Sequence, residues 1–294
     1  MVERSKTFQI VANCIMILLC LFCILPLWLL FASSITEERA LLDYGYAFFP
    51  RVIDFSAYHY VLVESTQLVR GYFLSAFTTL VGTVCNLTLT TLFAYPLMHK
   101  NLPGRKFISF FVFFTMLFNG GLVPSYIMWT QTFQIKNTIA ALIVPNLLLN
   151  AFNIIMMRTY LTTNIPEEIM DAARIDGAGE CTILLRIVIP MSKSILSTLA
   201  LLVGLGYWND WQNGLYYINK DYLYSTQVLL NKMLMDTQFL MSSASQGLSI
   251  DTSALPSTGI KMAIAVMGIL PVLVVYPFLQ KYLVKGITIG AVKG

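Results

Sequence analysis

Few side chains in this sequence are spaced for chemistry. Cys20 and Cys23 form a C-x-x-C, a spacing used in metal binding and thiol redox work. They lie inside the apolar run CIMILLCLFCILPLWLL with no histidine or carboxylate beside them, so they read as small hydrophobes. His59 and His99 are far apart in the chain. No cluster of His, Asp, Glu or Ser groups suggests a reaction centre. The sequence carries no G-x-x-x-x-G-K-[ST] phosphate loop, so it cannot bind and hydrolyse ATP by that route. The chain reads as non-catalytic, with no metal site and no cofactor of its own.

Two polar patterns remain. Thr79, Thr83, Asn86 and Thr90 recur at helical spacing and would share one helix face. Asn146, Asn150 and Asn153 repeat that spacing further on. Amides and hydroxyls in an apolar helix either bind a neighbouring helix or line a hydrated path. The second pattern is PEEIMDAARIDGAGE, Pro166 to Glu180, a charged stretch between two apolar runs. Asn164 can cap a helix here, with Glu167 three residues on as in a capping box and Pro166 in the first turn. Glu167 and Glu168 suit the positive end of the helix dipole. Gly177 can end the helix in the left-handed conformation. The spacing predicts a short helix from Ile165 to Asp176. One face would carry Ile165, Ile169, Ala172 and Ala173, and another Glu167, Asp171 and Arg174. Small alanines let a partner surface come close, and alanines with acids suit a protein surface better than an anionic lipid one.

The elements that must hold these patterns are membrane spans. Hydrophobic residues make up 57% of the 294 and charged residues only 12%, against about a quarter charged in soluble domains. The net charge of +4 gives no polybasic patch for nucleic acid. A helix needs about 20 apolar residues to cross the hydrocarbon. Six stretches qualify, at about 8–32, 71–98, 107–130, 138–157, 187–207 and 262–279. The first is longer than a signal-peptide core and reads as a retained span. In the third, Asn119-Gly120-Gly121 and Pro124 follow too short an apolar run, so the helix either kinks there or breaks beside protein or water. With the N-terminus inside, 12 of the 19 lysines and arginines fall on inside segments, which places both termini in the cytoplasm. The segments Ser33 to Arg70 and Trp208 to Lys261 would then be extracellular. The tyrosines and tryptophans after Trp208 read as an interfacial belt. Thr83, Asn86, Thr90, Asn119, Asn146, Asn150 and Asn153 are the candidates for a translocation path.

The charged stretch resembles the cytoplasmic loop of binding-protein-dependent ABC importers, E-A-A-x3-G-x9-I-x-L-P. The match runs through Asp171, Ala172, Ala173, Gly177, Ile187, Ile189 and Pro190, with Asp for Glu at its start and Ile for Leu before the proline. AARIDGA is similar to the carbohydrate-importing branch, and the chain resembles its second, maltose-importer-type permease subunit. The C-terminal LQKYLVKGITIGAVKG is similar to a subgroup importing complex oligosaccharides and uronate-containing fragments. The resemblance implies an all-α membrane protein of the type I importer fold, forming one permease domain in a bacterial plasma membrane. It implies a second permease subunit, two ABC ATPase subunits that hold ATP and Mg, and an extracellular sugar-binding protein. The coupling helix, about 165–177, would dock on the ATPase through Glu167, Glu168, Asp171, Ala172, Ala173, Arg174, Asp176 and Gly177. The loop 208–261 would face the binding protein, and the tail from Gly286 would reach toward the ATPases. In the maltose importer the other permease holds the sugar. An ion-coupled secondary transporter is the alternative and would want ionisable residues within the spans.

Overall fold

The computed structural model describes residues 6–245 and 258–291. It is helical almost throughout, and the β-structure among the described residues is one isolated bridge, Thr36 to Ile53. Contacts divide the chain into two compact units. One ends at Val69 and includes Leu229–Leu270; the other is Arg70–Val228 with the chain from Pro271 onward.

In the first unit the helix Lys6–Ser34 leaves its apolar side chains exposed from Phe8 to Phe31, as a lipid-facing helix must. The expected extracellular segment that follows is folded. It holds a short helix, Glu38–Tyr44, and a further turn of helix at Ser56–His59. Both Glu38 carboxylate oxygens accept hydrogen bonds, from the Thr258 and Gly259 amides at 2.8 Å each. That caps the start of the last helix, Thr258–Ala291, where amide donors lack helical partners.

Three helices among the described residues are long and apolar enough to cross a membrane: Phe8–Ser34, Thr66–Met98 and Thr258–Phe278. Two bent pairs raise the number to five if each pair is one crossing. In the first pair, Arg105–Leu117 and Leu122–Thr132 meet at 112°. The stretch expected at 107–130 is therefore broken rather than kinked. The Asn119 side chain accepts the Gly121 amide at 2.9 Å, and Gly121 takes a φ of 88° that ordinary residues avoid. In the second pair, Glu180–Met191 and Lys193–Trp208 meet at 80° about Ser192, so the stretch expected at 187–207 starts earlier and bends.

The stretch expected as a helix at 138–157 is interrupted. A turn of helix at Ala140–Ile143 stops before Pro145, and Asn146 adopts a left-handed φ of 61°. The chain restarts as the helix Ala151–Asn164, with the Asn150 side chain accepting the Phe152 amide at 2.8 Å. Proline removes a donor and asparagine tolerates the left-handed region, so an apolar run of suitable length still breaks. The expected loop 208–261 contains the helices Gln212–Tyr217 and Thr226–Ser245; its residues 246–257 lie outside the described residues. Of the loop's tyrosines and tryptophans after Trp208, Tyr217 and Tyr224 are buried, Trp211 and Tyr216 half-buried and Tyr222 exposed, so two of the five belong to the core.

The second unit's main core gathers Ala94, Tyr95 and Met98 with Met157, Leu161, Met170, Ile183 and Leu199. It joins the end of Thr66–Met98 to the charged stretch and to the helices on either side of it. Gly82 lets two helices touch: a Cβ there would lie 2.4 Å from the Tyr207 ring, whose hydroxyl donates to the Ile143 carbonyl at 2.9 Å.

Candidate coupling helix and polar cavity

The charged stretch forms the helix Glu167–Ile175. Pro166, not Asn164, takes the N-cap position. Asn164 ends the preceding helix and donates from its amide to the Tyr160 carbonyl at 3.0 Å, so the expected capping box does not form. The C-terminus ends as expected. Gly177 has a φ of 82°, the Ala178 amide donates to the Ala173 carbonyl at 2.9 Å, and the Gly177 amide to the Arg174 carbonyl at 3.0 Å. These two bonds close a Schellman turn.

The faces differ from expectation. Met170 is 1% exposed and Ile165 is buried, while Ala173 packs partly against the same core. That face seats the helix. Ile169, Ala172 and Ile175, three residues apart each time, form a ridge pointing away from it. Ile175 is 87% exposed. The exposed carboxylates of Glu167, Glu168, Asp171 and Asp176 flank the ridge. Reading Ile165, Ile169, Ala172 and Ala173 as one face missed Met170 and Ile175. The i, i+3, i+6 spacing from Ile169 was the available signal.

Arg174 is held within the chain. Its Nε donates to Glu180 at 2.8 Å and a terminal nitrogen donates to Asp171 at 2.8 Å. The Glu180 hydrogen bond, seconded by that to Asp171, pushes the guanidinium further above its usual range, so it stays charged. The Tyr95 hydroxyl also donates to Glu180. Tyr95 lies on Thr66–Met98, so this chain of polar contacts ties the short helix to that long one.

Four of the seven candidate path residues meet. Asn86, Asn146, Asn150 and Asn153 line one cavity of about 160 Å³ with Leu147, Leu202, Val203 and Gly206. Asn86 donates to the Leu147 carbonyl at 2.6 Å and accepts from Thr90 at 3.2 Å, so Thr90 positions it from outside the lining. Thr83 is half-buried with its hydroxyl oxygen enclosed and unpartnered, and it does not line the cavity. Asn119 is exposed at the break after Leu117, away from the cavity. Asn146, Asn150 and Asn153 do not share one helical face, because the backbone is irregular from Pro145 to Asn150. The interruption itself brings them together.

The same residues carry a family relationship. Residues 86–289 match the family "Binding-protein-dependent transport system inner membrane component". The chain is 36% identical to Protein LplC of Bacillus subtilis (strain 168), across 92% of this chain and 90% of that one. It is 32% identical to the polygalacturonan/rhamnogalacturonan transport system permease protein YtcP of the same organism, across 99% of this chain and 100% of that one. Among solved structures it is similar to a bacterial ABC transporter involved in the import of the acidic polysaccharide alginate. There the TM-score is 0.82 at 30% identity, covering 96% of this chain and 98% of that one. The match extends through both the asparagine cavity and the short charged helix, and the chain belongs to the family of binding-protein-dependent transport system inner membrane components.

Proposed function

We propose that the chain is one membrane-spanning half of an ATP-driven importer that moves a sugar or oligosaccharide from an extracellular binding protein into the cytoplasm of a bacterium. The carbohydrate class rests on relatives named for polygalacturonan, for melibiose, raffinose and stachyose, and for alginate. The ion-coupled alternative draws no support from them. The chain crosses the plasma membrane six times with both termini in the cytoplasm, and it hydrolyses nothing itself. A second permease, two ATPase subunits carrying ATP and Mg, and the binding protein complete the assembly.

The observation that carries this reading is the exposed ridge on Glu167–Ile175. An isoleucine left 87% exposed on a helix anchored in the core, and ringed by acids, fits a protein partner. In this reading Ile169 and Ile175 enter a cleft on the ATPase, and Ala172 allows close approach. Glu167, Glu168, Asp171 and Asp176 set the register against basic groups of the partner. Ala173 and Arg174 hold the helix to its own chain, and Gly177 shapes the turn. Met170 seats the helix on a core that includes Ala94, Met157 and Leu199, so a push on the ridge reaches three longer helices together. Two of those helices carry Asn86 and Asn153, past which the sugar moves.

The test is purification of the tagged chain from its native membranes in mild detergent. Co-purification of a second permease and an ABC ATPase, with vesicle uptake that needs ATP and survives collapse of ion gradients, is expected. A chain that purifies alone, under conditions that keep a known ABC importer whole, overturns the reading.

A further inference from the structure

The asparagine cavity has a lining of two kinds. Asn86, Asn146, Asn150 and Asn153 line it together with the apolar Leu202 and Val203. Asn86 is committed to the Leu147 carbonyl and Thr90, and the Asn150 oxygen to the Phe152 amide. Asn153 decides the matter. It is only 8% exposed, yet its side chain makes no hydrogen bond among the described residues. Its polar atoms are not sealed off, since they are absent from the enclosed unpartnered atoms among the described residues, so they stay open to meet a polar occupant. Asparagines that merely glued helices together would be paired across the contact and would leave no cavity. The irregular backbone from Pro145 to Asn150 agrees, since a break within a span survives where it lines a polar cavity.

We infer that this cavity is a sugar subsite carried by this chain, which takes the neutral hydroxyls of one ring on its free amides and the ring's C–H face on Leu202 and Val203. The inference rests on the importer reading above. An amide both donates and accepts, as a hydroxyl does. No Lys, Arg or His lines the cavity, so a carboxylate would enter it without a counter-charge. An acidic oligosaccharide therefore places a hydroxyl edge here and its carboxylates elsewhere. Sugar contact is thus shared with the second permease rather than left to it.

The test uses the whole complex in proteoliposomes with its binding protein, and raffinose and trigalacturonate as probes. Cys14, Cys20, Cys23, Cys85 and Cys181 are replaced by serine, and Asn153→Cys in that background is exposed to the water-soluble thiol reagent 2-aminoethyl methanethiosulfonate. The thiol is expected to react, and whichever probe stimulates wild-type ATP turnover is expected to slow that reaction severalfold. Asn153→Leu, similar in size, should co-purify with its partners yet raise the probe concentration for half-maximal uptake about tenfold, with Asn153→Ser in between. No reaction in any nucleotide state overturns the subsite, because the cavity is then dry. Reaction without protection, by a probe that does stimulate turnover, overturns the subsite and leaves the importer reading standing. Failure of both probes to stimulate the wild-type complex counts against the sugar reading and the subsite together.

Discussion

Ile175 offers a direct test of the coupling ridge. The side chain is 87% exposed at the end of Glu167–Ile175, so it does almost nothing for the fold of the isolated chain. Exposed substitutions of this kind change stability by no more than about 0.5 kcal/mol. Full burial of an isoleucine in a partner's cleft is worth about 1.5–3 kcal/mol. Ile175→Ser should therefore weaken docking of the ATPase by about 2 kcal/mol, close to thirtyfold in Kd. Met170→Ser supplies the contrast. Met170 is 1% exposed within the core, and emptying that position should cost about 2–5 kcal/mol of fold stability. The assay is binding of the purified ATPase to the permease heterodimer in lipid nanodiscs, read beside the thermal stability of each variant. Ile175→Ser should lower affinity and ATP-driven uptake while keeping the melting temperature. An unchanged Kd for Ile175→Ser, with normal uptake, would refute the claim that the ridge is the docking face.

Gly177 has open space around a built Cβ, so any cost of substitution there comes from its φ of 82° alone. Gly177→Val should impair uptake and cost about 1–2 kcal/mol, whereas Gly177→Asn should stay close to wild type in the same uptake and melting assays. Asp171 is half shared with Arg174 and half open, so Asp171→Glu should preserve uptake and Asp171→Arg should reduce it; equal uptake in both would remove the charge argument. Gly82→Leu should lower the melting temperature in detergent sharply, because its Cβ would lie 2.4 Å from the Tyr207 ring. Glu38→Ala removes the cap on Thr258 and Gly259 and should cost about 1 kcal/mol, seen as a modest melting shift.

Much of the functional reading was local and therefore legible. The charged helix announced itself because a three-turn period, early acids and a late glycine are features of neighbouring residues. Its inner and outer faces were not legible in full. Met170 turns inward because Met157, Leu161 and Ile183 make a pocket for it, and those residues sit on neighbouring helices, outside the short helix's own period. The N-cap failed for a similar reason. Asn164 was a sound capping residue by type, but the helix before it runs on through that position and uses its amide. The break after Leu117 was visible in Asn119-Gly120-Gly121. The break at Pro145-Asn146 had the same kind of signal, but the apolar residues flanking that pair made the stretch read as one span.

The sequence by itself determined that this chain lives in a membrane, that it carries no phosphate loop, and that it presents a short charged helix ended by Gly177. Hydrophobic runs, motif spacing and a glycine's left-handed turn are properties of contiguous residues, and they survive in any fold the chain could adopt. Only the tertiary structure decided that Ile169, Ala172 and Ile175 face outward, and that Asn86 meets Asn146, Asn150 and Asn153 around one cavity. Those outcomes depend on which distant surfaces bury Met170, and on an interrupted helix folding beside Thr66–Met98. Contacts between residues about sixty positions apart, such as the Asn86 amide on the Leu147 carbonyl, are set by packing rather than by period.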